Sequence, residues 1–407
     1  MNTKVISVIG LGYIGLPTAS ILATKGYKVN GFDVNAKIVE KINSGESHIY
    51  EPDLDKYLSN AIQSSNLKAH TEIKPADIFI VCVPTPFYEE SNPPKPNIEY
   101  IISAAKNIAK VLQPKNLIIL ESTSPVGTTQ NFVKILKDNN VDLSSIFISY
   151  CPERVLPGNI IKEFVNNDRL IGGINKESSE VTKNFYKTFT KGKIFITDDK
   201  TAEMCKLTEN SFRDVNIAFA NELSIICENN GIDVNELISL SNKHPRVDIL
   251  QPGPGVGGHC IAVDPWFIVD LDEKNSKLIK ASRERNLYKT EWVINKIENE
   301  VKSFFNKNGK EPSILILGIS FKPNIDDLRQ SPAFYVANHL NEKYEISVLE
   351  PNINRHDKFK LANQDDVFKN DLIIGLVKHD EFCKSDFQNN LSEANFIDFC
   401  GITDHSL

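Results

Sequence analysis

The chain of 407 residues carries no excess of basic residues: 46 Lys and Arg stand against 53 Asp and Glu, a net charge of −7. Nothing in that balance neutralises a phosphate backbone, so nucleic acid is not an expected partner. Long apolar runs are missing as well. No segment approaches 18 continuous apolar residues, and the opening MNTKVISVIGLGYIGLP has too short an apolar run and too many glycines for a signal peptide or a membrane span. The expectation is a cytoplasmic protein without a membrane partner. Seven cysteines, at 82, 151, 205, 227, 260, 383 and 400, are odd in number and scattered, with no CxxC pair. Neither a disulfide framework nor a zinc site is indicated, and no metal is expected. Fixed-period repeats and low-complexity tracts are also absent. What remains, 41% hydrophobic and 24% charged residues, is the composition of a soluble globular protein, and the length predicts two or three domains with separate cores.

The first motif follows the apolar run Lys4–Ile9. It reads Gly10-Leu11-Gly12-Tyr13-Ile14-Gly15, leads into a helical run Leu16–Lys25, and is followed by a strand Lys28–Phe32 that ends at Asp33, 18 residues after Gly15. Strand, glycine turn, helix, strand and acid make the dinucleotide fingerprint. Gly10 and Gly12 let the backbone approach a pyrophosphate, Gly15 packs helix on strand, and the helix N-terminus faces the negative charge. Asp33 is suited to the ribose hydroxyls and repels a 2′-phosphate, which favours NAD over NADP; the competing reading is a flavin or sugar-nucleotide Rossmann unit. Further parallel strands are expected at Ile78–Val83, ending in Pro84-Thr85-Pro86, and at Leu117–Leu120, ending in Glu121-Ser122-Thr123. Ligands of open α/β sheets sit at such carboxyl ends, so Thr85, Thr123 and Thr129 are either cofactor contacts or turn and capping residues. The Asn92–Pro96 segment reads as a surface loop. After Ile146–Tyr150, the rigid turn Cys151–Gly158 either holds Glu153 and Arg154 toward a site or leaves them a solvated charge pair.

From Thr201 to Asn230 the period is helical and uninterrupted, long enough for a spine between domains or a subunit interface. Lys206, Asn210 and Arg213 share one stripe at i, i+4 and i+7. Leu207, Phe212, Val215, Ile217 and Phe219 predict a mostly buried helix, whose polar stripe is either a ligand contact or a solvated face. A second helix, Val234–Asn242, precedes His244-Pro245-Arg246 and the segment Gln251–Trp266, QPGPGVGGHCIAVDPW. Four glycines there make a shaped loop that presents Cys260, with His259 beside it and Asp264 four residues on. Such a thiol is either a nucleophile with a carboxylate to steer water, or a small buried hydrophobe. Helix Ser276–Phe305 and strands Ser313–Ile319, Ile346–Leu349, Asp371–Leu376 and Asn395–Phe399 predict another α/β domain. It lacks a full GxGxxG; Phe321 and Lys322 after its first strand are candidates to stack on a base and meet a phosphate.

The set GLGYIGLP, PTP, ESTSPVGTT, YCPERVLPG, KLTENSFRDVN, HPRVDILQPGPGVGGHCIAVDPW and GISFKPNIDDLRQSPA resembles the UDP-glucose/GDP-mannose dehydrogenase family, motif by motif from Lys4 to Ala333 and in pattern beyond. The resemblance implies an α/β protein of two Rossmann-like domains joined by a long central helix and a helical middle domain, with boundaries at 1–198, 199–306 and 307–407. It also implies a homodimer with sites shared across the interface and two successive NAD-dependent oxidations of a UDP-sugar at C6. By the same resemblance, Cys260 is the nucleophile, Lys206 the proton donor and acceptor, Asn210 its partner, and Asp264 and Glu153 the carboxylates of water activation. Substrate contacts fall on Arg154, Val155, Lys206, Asn210, Arg213, His244, Arg246, Gly257, Phe321 and Lys322. Cofactor contacts fall on Tyr13, Ile14, Asp33, Thr85, Thr129 and Arg329. Where the family often has a basic residue after the ribose acid, this chain has Ile38. UDP-N-acetyl-D-mannosamine is the expected sugar nucleotide, with UDP-glucose and UDP-N-acetylglucosamine as alternatives. A hydroxyacid dehydrogenase would not need the GGHC loop, and a non-catalytic binding protein would not need both Cys260 and Lys206.

Overall fold

All-apolar runs such as Ile78–Val81 and Leu117–Leu120 need cover on both faces, and each is buried along its whole length inside a parallel sheet. The computed structural model describes residues 4–88, 90–258 and 260–403. They form two compact units, one running to Glu209 and including Trp266–Leu271, the other comprising Asn210–Pro265 and the chain from Asp272.

The first unit holds β1 (Val5–Ile9), β2 (Lys28–Phe32), β3 (Leu67–His70), β4 (Ile78–Val81), β5 (Phe87–Tyr88), β6 (Lys95–Pro96), β7 (Leu117–Leu120), β8 (Phe147–Tyr150), β9 (Arg169–Gly173) and β10 (Ile194–Asp198). Its helices are α1 (Gly15–Thr24), α2 (Ala36–Asn43), α3 (Leu54–Gln63), α4 (Glu99–Ala109), α5 (Thr128–Asp138), α6 (Ile160–Asn166) and α7 (Lys176–Tyr186). Eight strands make one sheet in the order β10-β9-β8-β7-β4-β1-β2-β3, parallel except where β8 meets β9. The segment Asn92–Pro96, read as a surface loop, ends in β6, which pairs antiparallel with β5. Successive side chains of a strand face opposite ways. Accordingly Ile78 and Ile80 join a core with Leu16, Ala19, Leu54 and Leu58 of α1 and α3, whereas Phe79 and Val81 join Ile101, Ala105, Phe132 and Leu136 of α4 and α5.

Helix α8 (Asp199–Asn230) gives its residues up to Glu209 to the first unit and the rest to the second. The second unit adds α9 (Val234–Ser241), the first two residues of α10 (Asp264–Leu271), α11 (Lys277–Asn308), α12 (Pro332–Asn341) and α13 (Ser385–Ser392). Strands β11 (Ile314–Leu317), β12 (Ile346–Leu349), β13 (Lys360–Leu361), β14 (Leu372–Gly375) and β15 (Phe396–Asp398) form an all-parallel sheet, ordered β13-β12-β11-β14-β15. The expected architecture, Rossmann-like sheets at both ends with helices between them in sequence, is the observed one. The expectation of a mostly buried α8 is corrected: Asn210, Ser211, Asp214, Ala218 and Asn221 are buried, but Phe212, Phe219 and Ile226 are 68%, 53% and 48% exposed. A helix apolar on more than one face needs a cover for each, and the face carrying these three side chains is left exposed in the single chain.

In each sheet the strand order reverses beside the first strand, between β1 and β4 and between β11 and β14. A ligand crevice opens beyond the carboxyl ends of strands at such a reversal. No helix of the described residues is long and apolar enough to cross a membrane.

Candidate active site

The loop between β1 and α1 lies at the first reversal point, and its three glycines do different work. Gly10 has φ +89°, and a Cβ there would lie 2.7 Å from the Cys82 carbonyl oxygen. At Gly15 a Cβ would run into the Gly10 carbonyl, so glycine is required for α1 to begin against the strand. A Cβ at Gly12 would meet nothing within 4 Å. That open side, at the N-terminus of a ten-residue helix, is what a dinucleotide pyrophosphate needs, so the residues present fit NAD. Tyr13 and Ile14 sit half-buried in the same turn. Asp33, at the end of β2, accepts from the Leu11 N–H at 3.1 Å and the Asn35 N–H at 2.9 Å, tying the acid to the glycine turn. Ile38 packs against the core, which explains an apolar residue there. Thr85 is buried beyond β4 and Thr123 half-buried beyond β7, both at carboxyl ends. Thr129 is different. Its hydroxyl and N–H both donate to Glu203 Oε1 at 2.7 Å, while the Gly127 N–H donates to Glu203 Oε2 at 2.6 Å. The carboxylate of Glu203 therefore caps α5, and the capping reading of Thr129 is realised through a residue that motif reading missed. Burial raises the pKa of Glu203, while the Thr129 and Gly127 donors pull against it.

The side chains of Glu153 and Arg154 do not form an ion pair with each other. Arg154 turns to Glu209 of α8, Nη2 to Oε1 at 2.6 Å and Nε to Oε2 at 3.1 Å, while Val155 is half-buried against the core. The Glu153 carboxylate is buried. Its Oε2 accepts from Arg169 Nη1 at 2.7 Å and its Oε1 from the Arg154 N–H at 2.7 Å. Arg169, the first residue of β9, is itself 2% exposed, stacks over the rings of Phe164 and Tyr186, and donates through Nη2 to the Phe164 carbonyl. The same Nη1 lies 3.9 Å from Oε1 of Glu121, at the end of β7. Glu121 accepts from the Tyr186 hydroxyl at 2.6 Å and the Cys82 thiol at 3.3 Å. Two buried carboxylates share one buried guanidinium. Burial first, then the neighbouring Glu153 charge, raise Glu121 to about 7 against the pull of Arg169. Burial likewise raises the Cys151 thiol, to about 12. Glu121 and Arg169 escaped motif reading; the available signal was a carboxylate ending one apolar strand and an arginine opening another.

In the second unit, the glycine loop is pressed onto protein. A Cβ at Gly255 would strike the Thr290 hydroxyl of α11, one at Gly257 would lie 2.5 Å from the Gln330 carbonyl and 2.6 Å from Pro332, and one at Gly258 would lie 2.8 Å from the Phe321 ring. The close approach these glycines permit is thus made by the segment after β11, and Phe321 lies against the loop. Cys260 stands exposed in a turn, and its carbonyl accepts from the N–H of Asp264 at 2.9 Å, which opens α10. Asp264 is buried and its Oδ2 accepts from the Asn210 amide at 2.5 Å. The amide expected beside Lys206 is therefore engaged with the carboxylate that follows the cysteine. His259 lies outside the described residues. Behind the loop, the Gly253 N–H donates to Asn221, Asn221 to Asn286, and Asn286 with Arg283 to the buried Asp214.

The other expected residues are spread over both units. Lys206, half-buried on α8 one helical turn before Asn210, makes no hydrogen bond or ion pair among the described residues. Arg213 is exposed on the same helix, and His244 and Arg246 are exposed on the turn after α9, where the Arg246 N–H donates to His244 Nδ1 at 3.3 Å. Lys322 is half-buried beside Phe321. Arg329 is exposed and forks onto Asp327, Nη2 to Oδ2 at 2.6 Å.

The profiles of the UDP-glucose/GDP-mannose dehydrogenase family match in succession: its NAD binding domain over residues 4–190, its central domain over 200–288 and its UDP binding domain over 315–405. The chain is 49% identical to a UDP-N-acetyl-D-mannosamine dehydrogenase of Campylobacter jejuni, over 93% of this chain and 96% of that one. It is 47% identical to an NDP-N-acetyl-D-galactosaminuronic acid dehydrogenase of Ralstonia nicotianae, over 95% and 93%. Among solved structures, a UDP-D-ManNAc dehydrogenase of Pyrococcus horikoshii superposes with a TM-score of 0.89 at 35% identity, covering 99% of this chain and 96% of that one.

Proposed function

Because the chain belongs to the UDP-glucose/GDP-mannose dehydrogenase family, we propose that it oxidises UDP-N-acetyl-D-mannosamine at C6, in two NAD-dependent steps, to UDP-N-acetyl-D-mannosaminuronate for surface polysaccharide. The observation that carries the chemistry is an exposed Cys260 on a glycine-built loop, four residues before a buried Asp264 held by Asn210. The sugar is inferred from the relatives named for it. Gly10, Gly12, Tyr13, Ile14, Gly15, Asp33, Thr85 and Thr123 would hold NAD, which supplies the hydride acceptor for each oxidation. Phe321 and Lys322, at the second reversal point, would hold the uridine diphosphate together with Gly257, Arg154, Val155, Arg213 and His244.

Lys206 takes the proton of the C6 hydroxyl as hydride leaves, and the resulting carbonyl oxygen is met by Lys206 and Asn210. The thiolate of Cys260 adds to the aldehyde carbon, which keeps the aldehyde from escaping and makes a thiohemiacetal, itself an alcohol-like hydride donor. Loss of the second hydride leaves a thioester. Water then adds to the acyl carbon, its proton passes to Asp264 or Glu153, and the C–S bond breaks to return the thiolate and release the carboxylate. Two NADH form per sugar.

The same reading makes the protein a homodimer. Phe212, Phe219 and Ile226 recur every seven residues along α8 as an exposed apolar stripe, which a second copy would cover, and Arg246 would reach the partner's sugar nucleotide. A sugar of galacto configuration is the second reading, favoured by the Ralstonia relative. A panel of UDP-hexoses, UDP-N-acetylgalactosamine included, with NADH counted per sugar, tests both. The expected result is preference for the manno sugar, a ratio of two and no free aldehyde. Equal or better rates with UDP-glucose, or a ratio of one, rule the proposal out. Cys260→Ala should bind both ligands and lose turnover by about 10³-fold or more.

A further inference from the structure

We propose that Arg169 is a positioning residue for the hydrolytic half of the reaction, with Glu121 as the group that decides how firmly it holds Glu153. The inference rests on the reading that Glu153 serves thioester hydrolysis. A carboxylate that orients water must itself be immobile and must keep a lone pair to spare. Glu153 meets both conditions: each oxygen accepts one donor at 2.7 Å, from Arg169 and from the Arg154 backbone, which leaves further acceptor capacity on both. The guanidinium cannot be supplied by solvent, because Arg169, Glu153 and Glu121 are all buried. It is locked by the Phe164 carbonyl and by the rings of Phe164 and Tyr186.

The groups facing Glu121 are Arg169, Glu153, Cys82 and Tyr186, with Cys151 nearby. Among them Arg169 carries the single positive charge. With Glu121 protonated, that charge is balanced by Glu153 alone, whose Oε2 stands 2.7 Å from Arg169 Nη1 against 3.9 Å for Glu121. Loss of the Glu121 proton creates a second claimant for the same guanidinium, pulling it from Glu153 and adding like charge beside it. The hydrolysis-competent form is therefore the one with Glu121 protonated, and hydrolysis should weaken as pH rises through neutrality, while the first hydride transfer, which does not use Glu153, should not share that limb.

The test is rapid-quench mass spectrometry of the full-length enzyme with UDP-N-acetyl-D-mannosamine and NAD, reading the Cys260 thioester beside the NADH burst across pH 6 to 9, on the order of three pH units around the Glu121 titration. In Arg169→Lys, which keeps the charge but loses the fork, hydrolysis should slow by about tenfold or more, the loss of one charge-assisted hydrogen bond. Thioester should accumulate with the first hydride burst preserved. Glu121→Gln should flatten the alkaline limb of hydrolysis. A parental limb in Glu121→Gln, or burst and hydrolysis falling together with Tm in Arg169→Lys, overturns the proposal in favour of a merely structural cluster. Glu153→Gln separates the two levels: if it does not accumulate thioester, the reading of Glu153 fails and this inference with it. If it does while Arg169→Lys does not, only the inference fails.

Discussion

At Gly12 an added methyl group would meet nothing, while at Gly15 it would strike the Gly10 carbonyl. The same substitution should therefore act on different properties at the two positions. Gly12→Ala is expected to fold with the parental Tm and to raise the KM for NAD by about tenfold or more, since one methyl in the path of the pyrophosphate costs at least about 1.4 kcal/mol of binding. Gly15→Ala is expected to lose about 3 kcal/mol or more of stability, because backbone rather than a mobile side chain stands in the way. Thermal melts and NAD titrations of both variants decide it; a Gly12→Ala protein that melts early while binding NAD normally would contradict the assignment. Asp33 shows how one residue serves two ends, accepting from the Leu11 and Asn35 N–H groups and so fixing the shape of the loop it accompanies.

Helices α8 and α11 are joined by a polar seam. Besides the Asp214–Arg283–Asn286–Asn221 series, Lys289 of α11 is buried, donates to the Ser224 hydroxyl at 2.8 Å and lies 4.0 Å above the Trp292 ring. Burial lowers its ammonium from the ordinary 10.5 to about 7, against the attraction of Glu228. Between those two values the unfolded chain binds a proton that the folded chain does not, so stability rises with pH across that window, and the loss on acidification is complete by about pH 7. Lys289→Met keeps the shape and removes the titration. It should be more stable than the parent at pH 6, by on the order of 2–4 kcal/mol before the lost Ser224 bond and ring contact are deducted, with the difference shrinking toward pH 10. Parallel curves of Tm against pH for the two proteins would show that Lys289 stays charged in the fold.

For the molecule as a whole, the exposed stripe Phe212–Phe219–Ile226 and the exposed Arg246 make one prediction about assembly. Phe219→Glu should shift the protein from dimer to monomer in sedimentation and reduce turnover with it. Mixing Arg246→Ala chains with Cys260→Ala chains should recover activity, up to about a quarter of the parent's when chains assort at random and each active site needs one intact copy of each residue. No recovery in verified mixed dimers would mean that Arg246 serves its own chain's site.

The sequence by itself determined the elements and the chemistry that local pattern encodes. The strands Lys28–Phe32, Leu117–Leu120 and Ile346–Leu349 have the expected bounds, because short apolar runs ended by an acid leave little choice of conformation. The glycine turn and its acid were legible for the same reason: turn, close approach and packing are demands on the backbone of a few adjacent residues. Tertiary structure decided whatever depended on which strand lies beside which. Glu121, Glu153 and Arg169 come from three different strands or their ends and meet only because β7, β8 and β9 are neighbours. Glu203 reaches the N-terminus of α5 from 74 residues away, and Asp264 finds Asn210 across 54. The same holds for the exposed side of α8. Its spacing showed apolar residues on more than one face, but which face a single chain covers depends on what packs against it, and periodicity carries no information about that.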